Sequence, residues 1–147
     1  MKVFLGSDHV GFVLKEKIKQ YLKNKKITFV DLGPARLVND DDYPDIAYQV
    51  ARQVVKSKGR GILVCRNGVG VCVVANKVKG ARAVNTDNLA VVKSARQDDD
   101  VNILCLGQAY VSEVKAKKII NVWLKTEFSG LSRHVRRIKK IQKIESK

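Results

Sequence analysis

Cys65 ends the apolar run Gly61-Ile62-Leu63-Val64 and is followed by Asn67, Gly68 and Gly70. A run of that kind reads as a buried strand, and the polar residue with two glycines reads as a turn. A thiol delivered by a strand beside the backbone amides of a turn can act as a nucleophile or a base. The same amides can hold an anion. A buried spectator thiol gives the same local pattern, because free Cys is among the most buried residue types. A second segment adds weight to the chemical reading. Lys2-Val3-Phe4-Leu5-Gly6-Ser7 is also an apolar strand, and it ends in Asp8 and His9 just before a helical pattern. In an open parallel sheet the carboxyl ends of the strands share one edge, where ligands bind. Cys65, Asn67, Asp8 and His9 are therefore expected on one rim.

The elements that must position them alternate along the chain. Strands are expected near 2–7, 27–32, 61–65, 81–84 and 102–107, and helices near 10–23, 44–57, 69–78, 88–96 and 112–125. Ile62-Leu63-Val64-Cys65 and Ile103-Leu104-Cys105-Leu106 are apolar on both faces, as buried parallel strands are. Repeated strand-helix alternation predicts right-handed crossovers and a three-layer α/β fold, with a five-stranded, mostly parallel sheet. The longest loop runs over 34–43 and carries Asn39-Asp40-Asp41-Asp42. Loops of that length are often functional, and acidic runs are more often solvated turns. After Ser129-Gly130 a terminal helix is expected near 132–145, so the chain divides into a domain over 1–130 and a helical arm over 131–147. Leu131, Val135, Ile138, Ile141 and Ile144 form one apolar stripe on that otherwise basic arm. The stripe must bury against its own domain or a second subunit.

With 147 residues, a single domain is expected. The formal charge of +15 raises the prior for anionic partners, but aromatics make up only 6% and none punctuates the basic tail. A stacking platform for nucleic acid needs them there, so no nucleic-acid role is expected. Cys65, Cys72 and Cys105 are an odd set in apolar runs, which suits reduced thiols in a cytoplasmic protein. The absence of a Cys-x-x-Cys pair and the presence of only two His argue against a zinc site. No apolar stretch is long enough to span a membrane, and the N-terminus lacks the layout of a signal peptide.

Six short pieces in order make a more specific pattern. They are Gly6-Ser7-Asp8-His9-x-Gly11-Phe12-x-Leu14-Lys15, Asp42-Tyr43-Pro44-Asp45, Gly61-Ile62-Leu63-x-Cys65, Gly68-x-Gly70, Ala75-Asn76-Lys77 and Arg133-His134-x-x-Arg137. Together the sequence resembles the ribose-5-phosphate isomerase B family, which also contains the galactose-6-phosphate isomerase subunits. The resemblance implies a Rossmann-like domain and an aldose–ketose isomerase acting on a phosphorylated sugar, foremost ribose 5-phosphate, without metal or other cofactor. It implies a homodimer, or a tetramer of such dimers, whose sites combine residues of both subunits and whose C-terminal arm packs on the partner. Isomerisation moves a proton between adjacent carbons through an enediolate, which requires a base near those carbons. Cys65 is the candidate base, since Val71 stands where other members carry a Glu. The amides from Asn67 through Gly68 to Gly70 would hold the oxyanion. Asn67 replaces the usual Thr and can still bond a hydroxyl. Arg133, Arg137 and His9 would hold the phosphate, and Asp8 and Tyr43 the sugar hydroxyls.

Four departures from the family pattern bear on function. Asp98-Asp99 stands where His-Asn is usual, so the residue expected to open the furanose ring is Asp98, with Asp99 beside it in the substrate site. Ala109 replaces an Arg that helps to hold phosphate. Arg66 replaces a Gly, where it either strains the turn or projects into the site and restores the lost charge. Gly130-Leu131-Ser132-Arg133 holds one extra residue, which affects the reach of Arg133. These changes also fit a weakly active or non-catalytic member, such as a partner subunit of a hetero-oligomeric isomerase or a sugar-phosphate binder. The retained thiol favours the catalytic reading.

Overall fold

Strands that are apolar on both faces have a stable place only in the middle of a sandwich. The computed structural model, which describes residues 1–147, builds that sandwich. In chain order the elements are β1 (Val3–Ser7), α1 (Phe12–Asn24), β2 (Phe29–Asp31), α2 (Tyr43–Ser57), β3 (Arg60–Cys65) and α3 (Val69–Ala75). They continue with β4 (Ala83–Asn85), α4 (Leu89–Asp99), β5 (Ile103–Gly107), α5 (Glu113–Lys125) and α6 (Ser132–Ile144). The strand order is β2-β1-β3-β5-β4. Every pairing is parallel, so the sheet is wholly rather than mostly so.

The period of two along each strand divides the core. Leu5, Ile62, Val64, Leu104 and Leu106 pack against Leu14 and Ile18 of α1, Val92 of α4 and Ile120 and Trp123 of α5. On the other face Phe4, Leu63, Cys65, Ile103 and Cys105 pack against Val50 and Val54 of α2 and Val71 of α3. Cys65 thus points to the α2–α3 side. The direction of the chain reverses between β1 and β3: β2 lies outward of β1 and β3 on its other side. That crevice is where an open α/β sheet receives ligands.

Two boundaries differ from the sequence pattern for local reasons. α3 stops at Ala75 because the Asn76 side chain bonds Cys72 O at 3.1 Å and both backbone groups of Ala83, at 3.0 and 2.9 Å, which turns the chain into β4. α4 runs on to Asp99 and ends at Asp100, whose φ is 46°. Asp98 and Asp99 therefore occupy its last turn rather than a loop. α6 packs on α4 and buries His134 and Ile138, while Leu131, Ile141 and Ile144 remain 45%, 39% and 67% exposed. The domain covers only the middle of the apolar stripe.

The loop over 32–42 is anchored by a buried cation. Lys15 is fully buried; its Nζ lies 2.7 Å from Asp31 Oδ2 and donates to Pro34 O at 3.0 Å. Lys19 Nζ reaches the same carboxylate at 2.8 Å. Burial pushes the Asp31 carboxyl up, and the two ammonium groups more than offset it, so the net shift is downward. Lys15→Ala should lower stability by about 3 kcal/mol, the low end for breaking a buried pair, because Lys19 still faces the carboxylate. Asp31 contributes its full stability above the ordinary carboxylate value of 3.8 and loses it as pH falls through its lower folded value. Urea midpoints between pH 3 and 7 should therefore show a shallower acid limb in Lys15→Ala than in the parent.

Candidate active site

The end of β3 is shaped around the thiol. The Gly68 N–H donates to Cys65 Sγ at 3.1 Å, and the thiol faces Asn67 Oδ1 at 3.8 Å. Gly68 has φ 77°, the left-handed conformation that turns its N–H back toward the sulfur. Asn67 Oδ1 also accepts from Val69 N at 3.0 Å, so this oxygen closes the turn and only the Nδ2 group is free for a substrate hydroxyl. β5 closes the other side: Gln108 N donates to Cys65 O at 2.9 Å and Ala109 N to Arg66 O at 3.0 Å. Asn85 Nδ2 bonds Asn67 O at 3.0 Å. Gln108 and Asn85 were not singled out in the sequence; their role rests on the β3–β5 and β4–β5 pairings, which local pattern does not reveal.

β1 brings the other rim residues. Ser7 pairs with Val64, which sets Asp8 beside the end of β3. Asp8 is nearly buried and accepts from Gly11 N at 2.8 Å; burial pushes its carboxyl upward. His9 Nδ1 lies 2.6 Å from Asp41 Oδ1, and the His9 N–H donates to the same oxygen at 2.8 Å. That bond and the neighbouring carboxylates push the imidazole upward. Tyr43 opens α2, and its ring lies against Gly70: a Cβ there would sit 2.7 Å from two ring carbons. Asp8, His9, Tyr43, Cys65, Asn67, Gly68 and Gly70 are thus gathered on one rim of one chain.

Arg66 is exposed on this rim, without a hydrogen bond or ion pair from its guanidinium. Its φ is not positive, so the expected strain at this position is absent. Asp98, Asp99, Arg133 and Arg137 lie elsewhere. α4 leaves the carboxyl edge after β4 and ends at the amino edge before β5, carrying Asp98 and Asp99 there. α6 starts at that same edge: Arg60, the first residue of β3, bonds Trp123 O, Leu124 O and Thr126 O, and Arg96 also bonds Thr126 O. Within one chain a strand length of about 17 Å, five residues at about 3.4 Å, separates these edges. Asp98 Oδ1 faces His134 Nδ1 at 3.6 Å, and Arg133 Nε donates to His134 Nε2 at 3.1 Å. Arg137 is exposed and unpaired.

A cavity of about 510 Å³ is also at the amino edge, among Arg60, Arg82 and Arg96. Those guanidinium groups bond the carbonyls that end α4 and α5, so they cap helices rather than face substrate. No group of three or more His, Cys, Asp or Glu side chains is arranged to hold a metal ion. No helix is long and apolar enough to cross a membrane.

A parallel α/β sheet with a thiol, a carboxylate and turn amides at its switch point is the architecture of an enzyme that handles protons on a small anionic substrate. Residues 3–141 match the Ribose/Galactose Isomerase family, and the chain belongs to it. The probable ribose-5-phosphate isomerase B of Mycoplasma genitalium is 46% identical over 145 residues, which cover 97% of this chain and 95% of that protein. The crystal structure of ribose-5-phosphate isomerase B from the same organism, with bound ribulose-5-phosphate, superposes with a TM-score of 0.94 at 44% identity, covering 99% of this chain and 97% of that one. A D-erythrulose-4-phosphate isomerase of Pectobacterium atrosepticum is 35% identical over 131 residues, 88% of this chain and 86% of its own.

The Tyr43–Gly70 contact makes a direct test of the rim's packing. Gly70→Ala should destabilise by about 1–3 kcal/mol, since the added methyl overpacks against the ring. In a Tyr43→Ala background most of that loss should vanish, and a double-mutant cycle from urea unfolding measures the coupling.

Proposed function

We propose that this protein interconverts ribose 5-phosphate and ribulose 5-phosphate, with Cys65 as the base that moves the proton. The observation that carries the reading is the Gly68 N–H directed at Cys65 Sγ at 3.1 Å on the rim that also holds Asp8 and His9. The near-identical fold of a relative with bound ribulose-5-phosphate supports the choice of sugar. From aldose to ketose the thiolate removes the C2 proton. The C2–H electron pair forms the C1–C2 double bond of the enediolate, and the carbonyl pair moves onto O1. The same thiol returns the proton to C1, O2 becomes the ketone and the O2 proton passes to O1. Turn amides near Gly70 stabilise the oxyanion without reorganising. Asp8 and Tyr43 bind hydroxyls. Asp98, with Asp99 beside it, serves ring opening.

The phosphate requires cations that the rim of one chain lacks, apart from His9 and Arg66. We infer a homodimer in which α6, the arm beyond the 1–130 domain, lays its exposed Leu131, Ile141 and Ile144 on the partner. Arg133, Arg137, Asp98 and Asp99 then reach the partner's rim from the amino edge, and Arg66 supplies the charge missing at Ala109. A reduced thiol base suits the cytoplasm, where disulfides are rare.

Cys65→Ala should abolish most turnover while binding of ribulose 5-phosphate persists, because it removes the chemical step and not the anion site. An unchanged kcat would overturn the assignment. Arg137→Ala should raise KM by roughly ten- to a hundredfold, the loss of one charge-assisted bond of about 1.5–3 kcal/mol. Mixing the two variants tests the shared site. After random exchange of subunits in a two-fold dimer, about a quarter of the sites should carry both Cys65 and Arg137 and turn over with the parent's low KM, which neither variant shows alone. A mixture without low-KM turnover, with exchange verified by mass, would place all site residues in one chain.

A further inference from the structure

The acidic run in the loop before α2 contains one residue that does not behave as solvated surface. Asp41 is largely buried, with 15% of its side chain exposed. Its Oδ1 accepts two bonds, from the backbone N–H and the Nδ1 of His9, at 2.8 and 2.6 Å. Its Oδ2 is buried with no partner. If the His9 ring were neutral, a buried carboxylate would face it without a compensating charge, and an unpaired buried charge is costly. The protonated ring removes that cost. With Nδ1 directed at Asp41, Nε2 is left as a donor on the opposite side of the imidazole, and it has no protein partner. The ring is 36% exposed, so a ligand can reach it.

We propose that Asp41 is a positioning residue that holds His9 as an imidazolium whose Nε2–H receives the substrate's phosphate. The inference rests on the sugar-phosphate reading given above and adds to it the device that keeps a cation on an otherwise acidic rim. The titratable groups acting on the ring are Asp41 and Asp40 from the loop and Asp8 from the end of β1, all carboxylates. The hydrogen bond to Asp41 is the largest influence and raises the ring above the ordinary value of 6.5. His9 therefore keeps its charge to higher pH than an ordinary imidazole and loses it as pH rises through the elevated value. Phosphate affinity should fall through the same window. The window opens above the second ionisation of a phosphate monoester, near 6, so the substrate is a dianion throughout it.

Two measurements decide the matter. The first is an NMR titration of the His9 ring in the ligand-free protein, with His134→Gln resolving the only other His. His9 should titrate above 6.5 in the parent, and Asp41→Asn should lower it. The second is the dissociation constant of ribulose 5-phosphate from pH 6.5 to 9. In the parent it should rise by up to tenfold per unit above the His9 value. In Asp41→Asn that break should move down with the ring, and KM should rise with little change in kcat. His9→Gln should remove the break, which guards against a poorly folded Asp41→Asn protein. A ring that titrates identically in parent and Asp41→Asn would overturn the role of Asp41. A ring that shifts while the binding break stays fixed would overturn phosphate capture by His9. Equal affinity for ribulose and ribulose 5-phosphate in the parent would instead remove the sugar-phosphate reading itself, and capture with it, while the ring titration still reports on the Asp41–His9 pair.

Discussion

The parallel pairing of β1 with β3 is the constraint from which the rest of the molecule follows. Its register sets Ser7 against Val64 and so brings the ends of both strands to one crevice. Everything that touches Cys65 depends on that alignment. The β5 pairing then closes the crevice from the far side through Gln108 and Ala109. A slip of one residue would turn Cys65 and Leu63 away from α2 and α3 and reverse both faces of the core. The Cys65 thiol is thus held by the same backbone bonds that hold the sheet, and its geometry costs no separate scaffold.

Charge is distributed against the needs of a single chain. The rim around Cys65 carries Asp8, Asp40, Asp41 and Asp42, while most of the +15 surplus lies on α1, its exit and α6. A phosphate dianion approaching an acidic rim meets repulsion unless cations are added. Within the chain, His9 is paired so as to stay charged and Arg66 is unpaired. Arg133 and Arg137 sit on α6 at the opposite edge, next to an apolar stripe that the domain only half covers. In the dimer proposed above, one helix carries both the hydrophobic face that joins two copies and the arginines that complete the partner's site. Assembly and substrate affinity would then depend on the same contacts.

The buried Lys15–Asp31 pair has a different task. It anchors the start of the loop that carries Asp41 and leads into Tyr43, two residues that shape the rim. Stability at this pair and order at the rim are linked through a short stretch of chain. The arginines of the amino edge do comparable work by capping the ends of α4 and α5, and so fix where α6 begins.

Much of this was present in residue order. The alternation of apolar strands and amphipathic helices determined an α/β sandwich, because a strand apolar on both faces can only be buried. The position of Cys65, Asp8 and His9 at strand ends determined a common rim, because parallel strands share a carboxyl edge. The mechanical roles of Asn85, Gln108 and Asn76 were not legible, since each depends on which strands become neighbours. The acidic run over 40–42 read as solvent-facing, and only the folded loop shows Asp41 turned inward onto His9. The family resemblance also placed Arg133, Arg137, Asp98 and Asp99 in the same chemical set as Cys65. Tertiary structure alone decided that they stand at the other edge of the sheet, because the length and direction of α4 carry the chain a full strand length away before α6 begins.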